Sequence, residues 1–269
     1  MREYTAAIYA NENLLLAEVL ERIESDLPTI GINVYGNSLA GTTITTNTGE
    51  YDVNKVEKFT DEEILIVLSD PQSDVENIRE FDGSVIDLTG SFEGLMDEVY
   101  TIEDPVALIL NQLEDKVDAI ATVPAALFGK SGIDDLISQT RELFAFTSAD
   151  AKIFQDRLSF NMFFSDIDQG ILSGYRDKLK QDTELDVDIR MIPVSTGFVL
   201  DVYFEKDVNC TFNFCITNED GFGTLSDVIG TEAIAQISCG KKRATFAGDY
   251  IHTIVRQITD ALKDITGED

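Results

Sequence analysis

Tryptophan is absent from this 269-residue chain, histidine occurs once, cysteine three times and proline five times. Each shortage removes a class of chemistry. A single histidine, His252, cannot build a zinc site of the usual tetrahedral kind, and no Cys-x-x-Cys pair supplies thiolates in its place. A thiol–imidazole couple would have to join His252 to Cys210, Cys215 or Cys239. His252, however, falls within a segment whose apolar residues Ile251, Ile254, Val255, Ile258, Ala261, Leu262 and Ile265 recur at helical spacing. The three cysteines are therefore expected to be small, apolar structural thiols rather than nucleophiles, metal ligands or a disulfide pair. Their odd, scattered number fits a reducing, cytoplasmic setting. No window approaches the ~20 apolar residues of a membrane span, and the start Met1-Arg2-Glu3-Tyr4-Thr5 does not read as a signal peptide.

Basic residues are also scarce, 20 against 50 acids, for a formal net charge of -30. Nucleic acid and anionic membrane surfaces are excluded as partners by that field. Acidity is uneven: residues 1–120 carry a net -20 and residues 121–269 a net -10. No Lys or Arg occurs between Arg22 and Lys55, and no acid between Asp26 and Glu50. That span should hold the loop after a second strand, where a nucleotide fold keeps either a base for an NADP phosphate or an acid for an NAD ribose. The acid pairs Glu62-Glu63 and Asp134-Asp135 read as solvated helix edges, and Asn218-Glu219-Asp220-Gly221 as a turn without the spaced ligands of a calcium loop.

What is present is an alternation of strands and helices. Apolar strands are expected at 4–10, 30–35, 64–68, 84–88 and 119–123, with helices at 11–25 and 104–113 and a hairpin within 36–49. Continuous apolar runs such as Ile64 to Leu68 are those of strands buried on both faces of a parallel sheet. The second half changes character. After helices at 133–143 and 170–179, strands crowd at 187–192, 199–205, 211–217, 233–238 and 244–247, which implies a mixed or antiparallel sheet with helices on one face. The fold class is thus α/β, a Rossmann-like domain over 1–122 followed by an α+β mixed-sheet domain over 123–247. The aromatic cluster Phe160, Phe163 and Phe164 is expected in the core, with dimerisation as its functional reading.

Several landmarks occur in a recognisable order. Val85-Ile86-Asp87-Leu88-Thr89-Gly90, Leu158-Ser159-Phe160-Asn161, Arg190-Met191-Ile192-Pro193-Val194-Ser195-Thr196-Gly197-Phe198, Thr224 to Glu232, and Phe246-Ala247-Gly248-Asp249-Tyr250 follow one another along the chain. In this order they resemble the aspartate-semialdehyde dehydrogenase family: its Val-Ile-Asp-x-Ser strand end, Ile-Ala-Phe-Asn segment, Pro-Val-x-x-Gly-His segment, Thr-Pro-x-Asp-x-x-Gly-x-Asp turn and Val-Gly-Asp-Asn helix start. The resemblance implies that the C-terminal helix, 248–266, packs back on the first domain. It also implies that the second domain forms a homodimer.

The same resemblance implies a catalytic set that this chain lacks. Where the family has its general-base histidine stands Phe198, which can neither accept nor release a proton. Where it has Asn-x-x-Cys the best match, Ala121-Thr122-Val123-Pro124-Ala125-Ala126, contains no thiol. The three glycine places of its phosphate loop fall on Ala10, Asn13 and Leu16, with Glu12 adding a negative charge. After Leu143-Phe144-Ala145-Phe146 the chain reads Thr147-Ser148-Ala149-Asp150-Ala151 instead of Tyr-Gln-x-x-Ser-Gly, and Arg190 sits one residue upstream of the family's substrate arginine. No residue is therefore assigned a catalytic, cofactor-binding or metal-ligating role, and no cofactor is expected. The expected function is that of a non-catalytic dimeric interaction protein, like the divergent Usg-type homologues, with a protein partner that the sequence does not identify. The alternative is an NAD- or NADP-dependent oxidoreductase acting on an aldehyde or acyl phosphate in amino-acid biosynthesis. A third reading is a metabolite binder that uses Arg190 and the Ser195-Thr196 turn as contacts.

Overall fold

The computed structural model describes residues 4–56, 58–59, 61–71, 74–113, 117–154, 156–164, 171–217 and 223–268. The turn at 218–221 lies outside them. The chain divides into two compact units, Met1–Glu103 with Ile254–Asp269, and Asp104–Thr253.

The first unit is built on β1 (Thr5–Tyr9), β2 (Gly31–Tyr35), β3 (Thr43–Thr45), β4 (Glu50–Asn54), β5 (Ile64–Val67), β6 (Ser84–Asp87) and β7 (Val99–Thr101), with helices α1 (Leu14–Asp26) and α2 (Val75–Arg79). The strands lie in the order β3-β4-β2-β1-β5-β6-β7. All neighbours run parallel except the β3–β4 hairpin. Ile64 to Val67 and Ser84 to Asp87 are buried at every position, as the continuous apolar runs require. Residues 254–269, the greater part of the last helix, group with this unit, as the family resemblance implies. Gln257 exchanges hydrogen bonds with the backbone of Glu103 at 3.0 and 3.1 Å.

The second unit contains α3 (Pro105–Asn111), β8 (Val117–Val123), α4 (Gly129–Phe144), β9 (Phe163–Phe164), α5 (Ile171–Thr183), β10 (Val187–Met191), β11 (Gly197–Phe204), β12 (Ile216–Thr217), β13 (Ala235–Gly240), β14 (Arg243–Asp249) and the first turn of α6 (Tyr250–Thr266). Its sheet runs β12-β13-β14-β11-β8-β10-β9. Parallel β8–β10 and β12–β13 pairs are mixed with antiparallel ones. In β11, Phe198, Leu200, Val202 and Phe204 are buried while Val199, Asp201 and Tyr203 are less so, the period of two of a strand with one face inward.

Four expectations need correction. Strand 119–123, which the alternation assigns to the first sheet, lies between β10 and β11 of the second; its neighbours come from 70 residues downstream, beyond the reach of a local pattern. Residues 211–215 form no strand, because Phe212 and Phe214 turn their rings onto Phe246 at 5.2 and 5.4 Å. Phe160 and Phe164 are exposed rather than core. Finally, Cys210 and Cys239 form a disulfide across 29 residues, leaving Cys215 as the free thiol. The β13–β14 hairpin brings Cys239 beside the chain leaving β11, a proximity that spacing alone does not reveal. With that pair formed, the odd count no longer argues for a reducing compartment.

Among the described residues, no helix is long and apolar enough to cross a membrane.

Candidate functional site

One end of the second sheet gathers several of the landmarks. β8 runs to Val123 beside Met191 at the end of β10, while β11 begins at Gly197 opposite Asp249, the last residue of β14. The ends of β8, β10 and β14 and the start of β11 therefore meet, bringing 124–126, 190–198 and 248–249 to a common edge.

At that edge Ala125 opens a short 3-10 turn before α4. It is fully buried. Its amide donates to the Val194 carbonyl at 2.9 Å, and the Ala126 amide donates to the Ser195 carbonyl at 2.9 Å. These N–H groups are satisfied within the chain and are not presented to an incoming anion. Two glycines fix the geometry. Gly129 adopts φ 62°, and a side chain on Gly132 would come within 2.3 Å of the Ala125 carbonyl oxygen.

Phe198 is wholly buried. Its ring lies over Gly248, its cross-strand partner, where a β-carbon would approach the ring to 2.8 Å. The missing side chain at 248 is what lets a phenyl group occupy this position. Nothing at 125 or 198 can donate or accept a proton or attack a carbonyl. Arg190 is half-buried and sits 5.9 Å over the Phe164 ring, a cation–π contact. Ser195 is exposed, whereas Thr196 is drawn inward.

Thr196 reaches the one strongly perturbed acid at this edge. Asp249 is buried and accepts from the Thr196 hydroxyl (2.7 Å), the Gly230 amide (3.0 Å) and the Ile251 and His252 amides (3.0 Å each). The His252 Nδ1 lies 3.1 Å from Asp249 Oδ1. Burial works to raise this carboxyl, yet the imidazole and these donors together hold it down at about 2. Asp249 thus caps α6 and ties three landmark segments together: the Ser195-Thr196 turn, the Thr224–Glu232 turn and the helix start. All three stand out along the sequence, but that one carboxylate joins them depends on the fold. At neutral pH it is an anion with both oxygens engaged, which suits holding structure rather than proton transfer. His252, set on this carboxylate, stands apart from the cystine pair.

A second buried acid in this unit has the opposite character. Asp104 caps α3, accepting from the Val106 amide at 2.8 Å, and also takes hydrogen bonds from Tyr175 (2.9 Å) and Tyr250 (2.6 Å). Burial raises its carboxyl above the ordinary value despite these donors.

In the first unit, the ends of β1, β2 and β5 form the crevice where parallel sheets of this type bind ligands. Asn11 fills it. Its Oδ1 accepts from the Asn37 and Ser38 amides at 3.0 Å each, its own amide donates to Ser69 Oγ at 3.0 Å, and its Nδ2 donates to Tyr9 Oη at 2.8 Å. Tyr9 in turn donates to Asp74 at 3.0 Å, and Asn37 donates to the same carboxylate. Burial, with Asp74 beside it, pushes the Tyr9 hydroxyl up to about 12. Leu16, at the third glycine place, is fully buried in the core. Gly36 admits no side chain, since a β-carbon would fall 1.9 Å from the Ala10 carbonyl oxygen. These bonds tie the Asn11 turn to the 37–38 loop and to Ser69.

The acid pairs behave differently from one another. Glu62 accepts from Tyr35 and Asn33 at 2.7 and 2.8 Å. Asp134 pairs with Lys130 at the surface. Asp135, expected to be solvated, is buried and accepts the Lys152, Ile153 and Phe154 amides. Its donors come from a loop that helical periodicity cannot place.

No protein-family model matches the chain, and no curated protein matches its sequence. Solved structures do match. Aspartate semialdehyde dehydrogenase II from Vibrio cholerae superposes with a TM-score of 0.75 at 18% identity, over 98% of this chain and 99% of that one. A probable aspartate-semialdehyde dehydrogenase from Pseudomonas aeruginosa gives 0.73 at 16%, over 97% and 98%. Aspartate semialdehyde dehydrogenase from Francisella tularensis gives 0.62 at 14%, over 97% and 100%. Across nearly its whole length, therefore, this chain has the two-domain fold of the aspartate-semialdehyde dehydrogenases.

Proposed function

We propose that this chain is a non-catalytic, dimeric interaction protein built on the dehydrogenase fold. One observation carries the reading: the edge where the resemblance implies a thiol and its base holds Ala125 and Phe198, both fully buried. A buried methyl and a buried phenyl group supply neither a nucleophile nor a general base. The Asn11 network supports the same conclusion for the cofactor, because its atoms occupy the turn that would receive a pyrophosphate.

Support for self-association comes from the surface of the second unit. Phe144, Phe146 and Phe160 are 71%, 98% and 68% exposed, and Met162 and Phe164 are 40% and 42% exposed. Phe146 and Phe160 hold positive φ of 57° and 56°. Left-handed backbone at a bulky residue is unfavourable, and here it presents a phenyl ring to water. A second copy would bury such rings, removing ~150 Å² or more of apolar surface apiece.

The test is thermal unfolding with millimolar NAD or NADP, oxidised and reduced, beside sedimentation velocity. A ligand at 100 times its dissociation constant stabilises a two-state fold by about 2.7 kcal/mol. No shift with any dinucleotide, and a dimer that Phe146→Ser with Phe160→Ser dissociates, is the expected result. A clear shift with either dinucleotide overturns the non-catalytic reading, and a wild-type monomer overturns the dimer.

A further inference from the structure

Asp135 and Gln139 stand one turn apart on the same face of α4, and both are buried. Each turns an acceptor oxygen on the backbone of the chain that follows the helix. Asp135 Oδ2 accepts the Lys152, Ile153 and Phe154 amides at 3.0, 2.7 and 3.3 Å. Gln139 Oε1 accepts the Leu158 and Ser159 amides at 2.9 and 3.1 Å, and Thr140 Oγ1 meets Ser159 Oγ at 2.7 Å. Burial works to raise the Asp135 carboxyl, yet the amides it accepts hold it below its ordinary value, so the anchor is an anion at neutral pH. The anchored backbone carries the exposed rings. Phe160 follows Ser159 directly, and its ring meets that of Phe144 edge-on with centroids 5.9 Å apart. The Asn161 amide closes the turn around Phe160 by donating to the Leu158 carbonyl at 2.8 Å. At the end of α4, the Phe146 amide donates to the Leu143 carbonyl at 3.0 Å and the Asp150 amide to the Glu142 carboxylate at 3.2 Å.

Building on the self-association proposed above, we infer that the chain following α4 is a preformed arm for docking a second copy of this protein, and that Asp135 and Gln139 are the positioning residues that shape it. Neither side chain reaches the surface, so both act through the backbone they hold. An arm already ordered in the single chain loses less freedom on docking.

Area and charge both favour a second copy as the occupant. Phe144, Phe146, Phe160, Met162 and Phe164 leave roughly 500–650 Å² of apolar surface uncovered. That is most of the about 800 Å² that each partner contributes to a standard interface. Residues 141–164 hold three bases, Arg141, Lys152 and Arg157, against three acids, Glu142, Asp150 and Asp156, so this stretch is neutral within a chain of net charge -30. Two such chains repel one another over most of their surface, and a neutral apolar stretch is where they can approach. A basic partner would be drawn instead to the first 120 residues, which carry a net -20.

The test joins hydrogen exchange to sedimentation velocity on the full chain. In dilute solution, where the native chain is single, the Lys152, Ile153, Phe154, Leu158 and Ser159 amides should already exchange about a hundredfold or more slowly than in an unstructured chain. Asp135→Leu and Gln139→Leu, close in shape but without an acceptor, should each weaken association about tenfold or more. Asp135→Asn keeps one acceptor oxygen and should recover part of that loss. Amides that exchange freely in the single chain and slow only on association would overturn the preformed arm, and so would Asp135→Leu and Gln139→Leu variants that fold and associate like the native chain. A native chain that stays single at every concentration overturns the dimeric reading itself and the arm with it, so the two failures are told apart. Exchange in the native chain gives the answer even where a variant does not fold.

Discussion

The two units close their sheet ends in chemically opposite ways. In the first, Asn11 and its partners Tyr9, Asn37, Ser69 and Asp74 fill the crevice with groups that water could equally well satisfy. In the second, Phe198 fills the edge with a phenyl ring that only a matching void can accept, the one above Gly248. The lesson lies in the energetics. A polar closure exchanges protein hydrogen bonds for solvent ones and is worth about 1 kcal/mol per bond. An apolar closure enters the core's packing, where a missing ring is worth several times that.

The largest expected effect follows from that difference. Phe198→Ala should lower stability by about 3–5 kcal/mol in chemical denaturation, and Gly248→Ala, which drives a methyl into the ring, should also destabilise by about 1–3 kcal/mol. If Phe198→Ala costs less than 1 kcal/mol, the second site is not closed by packing and the contrast fails. Next is the carboxylate beside it. Asp249→Asn should cost about 2–3 kcal/mol, because bonds to a charged acceptor are lost while the donors remain buried.

The acid limb sharpens the point. Asp249 is held near 2 in the folded chain against an ordinary 3.8. Its contribution, on the order of 2 kcal/mol, is therefore complete above about pH 5 and is lost as pH falls from there through 2. Asp104 is raised, so its contribution has the reverse sign, present below its ordinary value and lost as pH rises through its folded one. Unfolding measured between pH 2 and 5 should show a shallower fall in stability for Asp249→Asn than for the native chain. The smallest effect belongs to the first unit. Asn11→Ala should cost about 1–2 kcal/mol by leaving the Asn37 and Ser38 amides to water. It should not create dinucleotide binding, since Leu16 remains where a glycine would be needed. Binding of NAD after that single change would show that the polar plug alone had kept the crevice shut.

The sequence made much of this legible because strand ends carry compact signatures. The Val85-Ile86-Asp87 run, the Pro193 to Gly197 turn and the Gly248-Asp249 helix start all stand where such a fold needs them, and Ala125 and Phe198 announce by residue type alone what their positions cannot do. What escaped depends on groups distant in the chain. Asp249 takes its donors from 196, 230 and 252, Asp135 from 152 to 154, and Cys210 meets Cys239 only through hairpin register. Phe212 and Phe214 alternate as a strand would, yet they serve as a lid over Phe246, a choice that three-dimensional packing makes and a period of two cannot foresee.

The fit of Phe198 over Gly248 also gives this chain a ratchet. A histidine introduced at 198 alone would leave an imidazole buried against a glycine-sized gap shaped for a phenyl ring, and a larger residue at 248 alone would strike that ring. Neither member of the pair can change first without a loss of stability, so any route to an acid–base residue at this edge climbs before it descends.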